Sequence, residues 1–344
     1  MIRIGKIVIC FFSAVVLVLS TTAQTSPFNG RTVVTADSSG HYRLLFGGHF
    51  HGSSFGRSGY PAATLLANLE RINALEANAL LSTGDLFLSA DKDSAHYVDA
   101  FFKKLNAPLF NAPGNHDVEG KVYLQSYGPT FSSFDLGGDR IILLDTELDN
   151  GNLEGEQLAM LRDQLRSFEG SHVFIVSHRP IWSEGDDRYA PLFAGNTRSI
   201  LGNNYATVVY PMLEEVARRA KVFWISGSMA GMAPASIFFQ EHAPGITYIQ
   251  CALRDEPRDA LLVADVKNEH VEWKGLSLTG QTLAPPTTYT AEYWQANRIK
   301  VPEFNWRLLP YLVRKTVSGP QFWFGAIVAL IVAFLIRRFY VRGF

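Results

Sequence analysis

A chain of 344 residues with 47 % apolar and 18 % charged side chains can bury a sizeable core and is too apolar to be disordered. Its 31 basic and 32 acidic residues leave a formal charge of −1. That balance, with no basic run in the middle of the chain, excludes nucleic acid as a default partner, because phosphate-backbone binding needs a concentrated basic face.

The chain opens with Arg3 and Lys6, continues through the apolar stretch "IVICFFSAVVLVL" and closes on the small residues "STTA". That grammar predicts a secretory signal over 1–23, cut after Ala23, with an uncleaved anchor helix as the alternative. Cys10 would leave with the signal. Cys251, in "ITYIQCAL", is then alone and is expected to be buried and inert.

From about Thr32 to Trp273, short apolar runs alternate with helical spacing. Strands are predicted at Tyr42–Gly48, Ala79–Asp85, Ala107–Asn115, Arg140–Thr146, His172–His178 and Lys221–Gly227, each ending in a turn. Helices are predicted at Pro61–Leu75, Glu154–Phe168 and Thr207–Ala220. Pro61 suits a first helical turn, and Pro211 fits only near a helix start. "ASIFFQEH", "GITYIQCAL", "DALLVADVK" and "HVEWKGLSL" follow as strands without helices between them. This order predicts an α/β domain over 32–280, with two packed mixed sheets flanked by helices.

The prolines and threonines of "LAPPTTYTAEYW" mark 281–316 as a linker and juxtamembrane segment. Its last part, "FNWRLLPYLVRK", either lies at a membrane interface or packs on the domain. Val317 to Ile336 is apolar and long enough for a transmembrane helix, and Arg337, Arg338 and Arg342 lie in the short tail 337–344. With the signal, this orients the domain outside the cytoplasm, on the periplasmic or extracellular face, tethered to a lipid bilayer.

The polar residues gather after the carboxyl ends of the predicted strands, where α/β sheets bind ligands. In order they are "GGHFHG" with His49 and His51, "TGDLF" with Asp85, "APGNHDV" with Asn115, His116 and Asp117, "VSHRPIW" with His178 and Arg179, and "ISGSMAG" with Ser228, Met229 and Ala230. Imidazoles, a carboxylate and an amide suit a borderline metal. A Gly-Asp pair alone is an ordinary turn, and a lone strand-end histidine is ordinary core. "GNHD" is far more specific.

In this order and spacing the motifs resemble the calcineurin-like metallophosphoesterases, which include the purple acid phosphatases. The resemblance covers about Tyr42 to Leu278. It implies a four-layer sandwich holding two metals in its loops, with Asp85 bridging them. Asn115 and His178 would hold the second metal, and His51 the first or a place beside it. His116 would sit by the leaving-group oxygen, with Asp117 orienting its ring. Two adjacent cations clamp the attacking and leaving oxygens, and one acidifies a bound water. Arg179 would contact a substrate phosphate or simply lie at the surface.

Two motifs depart from the family. His49 stands where an aspartate is expected, and Ser228 and Ala230 stand where the last two histidines belong. One or two transition-metal ions (Zn, Fe or Mn) remain the expected cofactor, with the histidine favouring these over Mg²⁺. Met229 is either a soft ligand or packing. Three readings follow: a phosphoesterase acting on a phosphorylated small molecule or envelope component, a catalytically silent binding relative, and a tethered structural protein. The intact "GNHD" favours the enzyme.

Overall fold

Alternation along the strands divides each side chain between two cores. In β1 (His41–Gly47), Leu44 and Phe46 enter one apolar cluster and Leu45 the other, as a period of two demands. β2 (Ala79–Ser82) repeats this, with Ala79 and Leu81 on one face and Leu80 on the other. The protein, seen here as a computed structural model, is described over residues 24–53, 58–193, 203–229, 233–299, 317 and 320–342. The expected signal at 1–23, the segment 300–316 and Ala230 lie outside the described residues.

The first sheet has five strands in the order β11-β10-β1-β2-β3, where β3 is Leu109–Asn111, β10 Ala260–Lys267 and β11 His270–Ser277. β1, β2 and β3 are parallel, and β10 pairs antiparallel with both β1 and β11. The second sheet has the order β4-β5-β6-β7-β9-β8. Its strands are β4 Ser132–Leu136, β5 Asp139–Leu143, β6 His172–Ser177, β7 Lys221–Ser226, β8 Ile237–Ala243 and β9 Ile246–Cys251. β5, β6, β7 and β9 run parallel, with antiparallel strands at both edges. Both sheets are therefore mixed.

Aromatic rings join the sheets. Phe46 of β1 lies 6.1 Å from Phe174 of β6, and Trp273 of β11 lies 5.1 Å from Phe223 of β7, between ring centroids. Burying Phe46 or Phe174 fully in this way stabilises the fold by about 1.5–3 kcal/mol relative to leaving the ring exposed. On the outer side of the first sheet, Leu65, Ile72, Tyr97, Phe101 and Phe102 from the helical segments pack on Leu45, Leu80 and Leu261. On the second, helices Gly155–Arg166 and Tyr210–Ala217 contribute Leu161, Leu165, Leu213 and Val216.

Several expectations change. The helix expected at Pro61–Leu75 is two short ones, Ala63–Ala67 and Leu69–Asn73, because the Asn68 side chain donates to both Thr64 O and Leu278 O at the break. Pro211 does lie at a helix start. Helix Ala90–Ala100 and strand β4 were not anticipated. The linker expected from residue 281 is, over 281–299, part of the domain. Phe239 N–H donates to Tyr289 O, Ala291 N–H to Gln240 Oε1 and Trp294 Nε1–H to Ile237 O, and Trp294 is buried. Cys251 is buried and unpaired, its thiol pushed up to about 12 by burial.

Further on, Pro320–Arg342 forms a 23-residue helix. Among the described residues no helix is long and apolar enough to cross a membrane.

Candidate metal centre

Parallel neighbours place their carboxyl ends on one side, so the turns after β1, β2 and β3 meet the turns after β6 and β7. Backbone bonds tie them together. His49 N–H donates to Gly84 O, Leu253 N–H to Gly48 O, and the N–H groups of Gly227 and Ser228 both donate to His178 O. The turns are tight: His49 and Asp85 have φ of 52° and 56°, the left-handed region that costs a side-chain-bearing residue energy. Gly114 is needed for close approach, since a Cβ there would overlap Asp85 Oδ1.

Asp117 holds two of these turns in place. Its carboxylate accepts from Asp85 N–H (2.9 Å), Gly114 N–H (2.9 Å), Phe87 N–H (3.1 Å) and Asn111 Nδ2 (3.0 Å). Burial and then the neighbouring Asp85 push its carboxyl up to about 6, against the pull of those donors. The expected role for Asp117 is thereby corrected. It does not orient His116, whose Nδ1 instead lies 3.0 Å from Leu88 O. A carbonyl only accepts, so that nitrogen carries the proton and Nε2 is left as the free lone pair.

His178 is set the same way, with Nδ1 donating to Thr83 O at 3.0 Å. Its Nε2 faces Asp85 Oδ2 at 3.5 Å, as does Nε2 of His49 at 3.5 Å and of His51 at 3.8 Å. These separations are too long for hydrogen bonds. They suit ligand atoms around one ion, where metal bonds of roughly 2.0–2.1 Å put tetrahedral neighbours about 3.3 Å apart. Two groups result, His49–Asp85–His178 and His51–Asp85–His116, each with its ligand atoms within 4.8 Å of one another. Asp85 belongs to both, as a bridging carboxylate would.

His51 supplies the test of fit. It is 6 % exposed, and neither ring nitrogen has a hydrogen-bond partner. A buried imidazole left unmatched is costly, and a cation is what its lone pair lacks. Burial chiefly holds His49 well below the usual histidine range, outweighing the pull of Asp85, so the ring is in its neutral, ligating form. Asp85 is depressed well below the usual carboxylate range: burial opposes ionisation, but His178, His51, His49 and His116 overcome it. The donor set of imidazoles and one shared carboxylate fits Zn, Fe or Mn.

The expected partition of ligands changes accordingly. His178 groups with His49, and His116 stands among the ligands of the second group. Asn115 is half-buried on the same loop, immediately before His116. Arg179 does not present a free guanidinium: it is paired with Glu147 through Nε and Nη2. Met229 is buried in the core, which settles its role as packing. Sequence reasoning missed Arg254. Leu253 bonds to Gly48, and the Asp255 Cβ lies within van der Waals contact of the space over Gly52, so Arg254 is bracketed against the His49–His51 loop. Its charge adds to the forces keeping His49 neutral. A single arginine after a strand carries no motif that would reveal this.

A two-sheet α/β fold with a histidine–aspartate centre at its strand ends defines a metallophosphoesterase-like protein. Residues 30–210 match the calcineurin-like phosphoesterase family, and the chain belongs to it. No curated protein matches the sequence. Among solved structures the chain is similar to GAP50, the anchor in the inner membrane complex of Plasmodium, with 13 % identity over 76 % of this chain and 98 % of that one, TM-score 0.49. It is also similar to purple acid phosphatase PPD1 of yellow lupin (Lupinus luteus), with 11 % identity over 75 % of this chain and 57 % of that one, TM-score 0.49. A dimetal phosphatase from Danio rerio is 14 % identical over 69 % of this chain and 96 % of that one, TM-score 0.49.

Proposed function

We propose that this protein is a membrane-anchored, extracytoplasmic, metal-dependent phosphoesterase with an altered metal centre. The observation that carries the reading is the spacing of three imidazole Nε2 atoms at 3.5–3.8 Å around one oxygen of Asp85. His49, Asp85 and His178 would hold one ion, and His51 with Asp85 a second, with Asn115 beside them. When bound, such an ion polarises a phosphoryl oxygen and acidifies water.

The chain itself positions the proton donor. His116 is half-buried, and its Nδ1–H is fixed on Leu88 O. Its Nε2 lone pair would take a proton from water and pass it to a leaving-group oxygen. Arg179 is committed to Glu147, and Arg254, whose charge acts on His49, donates its Nη1–H to Met229 O. The substrate is a phosphate ester on a small molecule or an envelope component.

Anchoring is supported by the 23-residue helix at Pro320–Arg342, about 34 Å long at roughly 1.5 Å per residue. Phe324, Leu330 and Phe334 on it are 72 %, 70 % and 63 % exposed, an all-round apolar surface that water does not favour. The span itself is read from the sequence, from the apolar run Phe322–Ile336 with the residues back to Val317. Alkaline extraction of membranes should leave the full chain in the pellet, and a form ending at residue 316 in the supernatant.

Hydrolysis of an aryl phosphate by protein loaded with Zn²⁺, Mn²⁺ or Fe, alongside its metal content, tests the enzyme. Stoichiometric metal with turnover that disappears in Asp85→Asn supports it. A silent binding relative is the second reading, favoured by Ser228 standing where a ligand histidine belongs. Metal bound without turnover on any phosphate ester, or no metal under any loading, would refute the enzyme and favour the silent or structural reading.

A further inference from the structure

A cavity of about 170 Å³ opens between the starts of β8 and β10 and the docked segment 281–299, lined among others by Ser236, Arg258, Gln281, Thr282, Tyr289 and Tyr293. None of these residues belongs to the metal centre. Ser236 is 2 % exposed, and its Oγ has no hydrogen-bond partner. The Arg258 side chain is 11 % exposed, and its Nε and Nη1 are buried without a hydrogen-bond partner, while Nη2 faces Glu256.

Glu256 Oε2 lies 2.8 Å from Nη2 of Arg258 as an ion pair, and the Asp259 carboxylate also acts on this guanidinium. The Glu256 carboxylate is shared, because its Oε1 also lies 3.6 Å from Nε of Arg254. Arg254 and Arg258 thus share Glu256, with Asp259 as the further carboxylate beside Arg258, and no acidic residue is among the described residues lining the cavity. Burying charged donors without acceptors is unfavourable, and a guanidinium fork matches the two oxygens of a carboxylate or phosphate.

We propose that this cavity is an anion site for a phosphate or carboxylate group, gripped by the Arg258 fork and by Ser236 Oγ–H. The space beyond the charged end, walled by Tyr289 and Tyr293, takes a small organic remainder. Because the cavity wall is shared by the turn before β10 and the docked segment, an anion there also fastens that segment to the domain. A soluble phosphate and an anionic lipid headgroup present the same chemistry.

The test is titration calorimetry of inorganic phosphate into the full chain in mild detergent with EDTA present, so that metal-centre binding is absent. Saturable binding is expected, unchanged in Asp85→Asn and weakened about tenfold or more in Arg258→Gln. Ser236→Ala should weaken it less. Arg258→Lys keeps the charge but not the fork, and it decides the matter if the Gln variant does not fold: reduced affinity supports the site, and wild-type affinity overturns it. Micelles containing phosphatidylglycerol, compared with phosphatidylcholine, separate the sources. Competition by the anionic lipid alone assigns the site to a headgroup, and no competition by either assigns it to a soluble anion. Equal phosphate binding in Arg258→Gln, or no binding up to about 10 mM, refutes the proposal.

Discussion

Replacing Asp85 by asparagine isolates the metal centre, because it removes one charge and almost nothing else. Asn keeps the oxygen that accepts from His116 N–H at 3.1 Å, and it turns an amide towards three imidazole nitrogens that can each accept. The fold should therefore survive. What is lost is the only carboxylate common to both ligand groups. A metal at a hundred times its dissociation constant stabilises the wild type by about 2.7 kcal/mol. For a domain of this size, roughly 2–4 °C per kcal/mol converts that into an upward shift of about 5–11 °C. Scanning fluorimetry of EDTA-treated protein titrated with Zn²⁺ or Mn²⁺ should show this rise in the wild type and a shift below about 1 °C in Asp85→Asn. A wild type that does not respond, or a variant that responds equally, would refute the coordination reading, whatever the activity.

His116→Ala should retain metal at the His49–Asp85–His178 group and lower kcat by about 10²- to 10⁴-fold, the usual worth of a positioned acid or base. Loss of metal from the His51–Asp85–His116 group alone would instead make His116 a ligand first. Arg179→Ala is expected to act on stability, by about 3–5 kcal/mol in urea unfolding, because it removes the guanidinium paired with the buried Glu147 carboxylate. A pure change in KM at unchanged stability would restore the phosphate-contact role. His242 bears on pH. Burial and then Arg188 hold it below the usual histidine range, and its Nδ1 accepts from Arg188 Nη2–H at 2.9 Å. Its contribution to stability is complete above the unfolded pKa of about 6.5 and is lost as the pH falls below that value. Unfolding midpoints should thus drop less between pH 7.5 and 5.5 in His242→Gln than in the wild type, and an identical drop would remove His242 from the acid response.

Local pattern determined much of this protein. Runs such as "RLLFGG" and "HVFIVSH" are too apolar and too short to be anything but buried strands, and they end in glycine or polar turns because nothing apolar remains to pair. The order of "GD", "GNHD" and "SHRP" identified the family's chemistry, and His49 and His51 were visible as an imidazole pair. Helix Ala90–Ala100 was hidden because only Ala90, Asp93 and Tyr97 of it are buried, too few for an apolar stripe. The segment after residue 281 reads as a linker because prolines and threonines dominate it, while Trp294 needs a tertiary pocket before it can declare itself core.

Tertiary structure alone decided who meets whom. Arg179 and Glu147 are distant in the chain, and only the parallel pairing of β5 with β6 brings their turns together. Asp117 and His116 are adjacent in sequence yet turn to different partners, because four donors from neighbouring turns capture the carboxylate first. The centre itself depends on β1, β2 and β3 ending side by side opposite β6 and β7. Strand order is a long-range choice made by which apolar faces bury one another, and no short stretch of sequence encodes it.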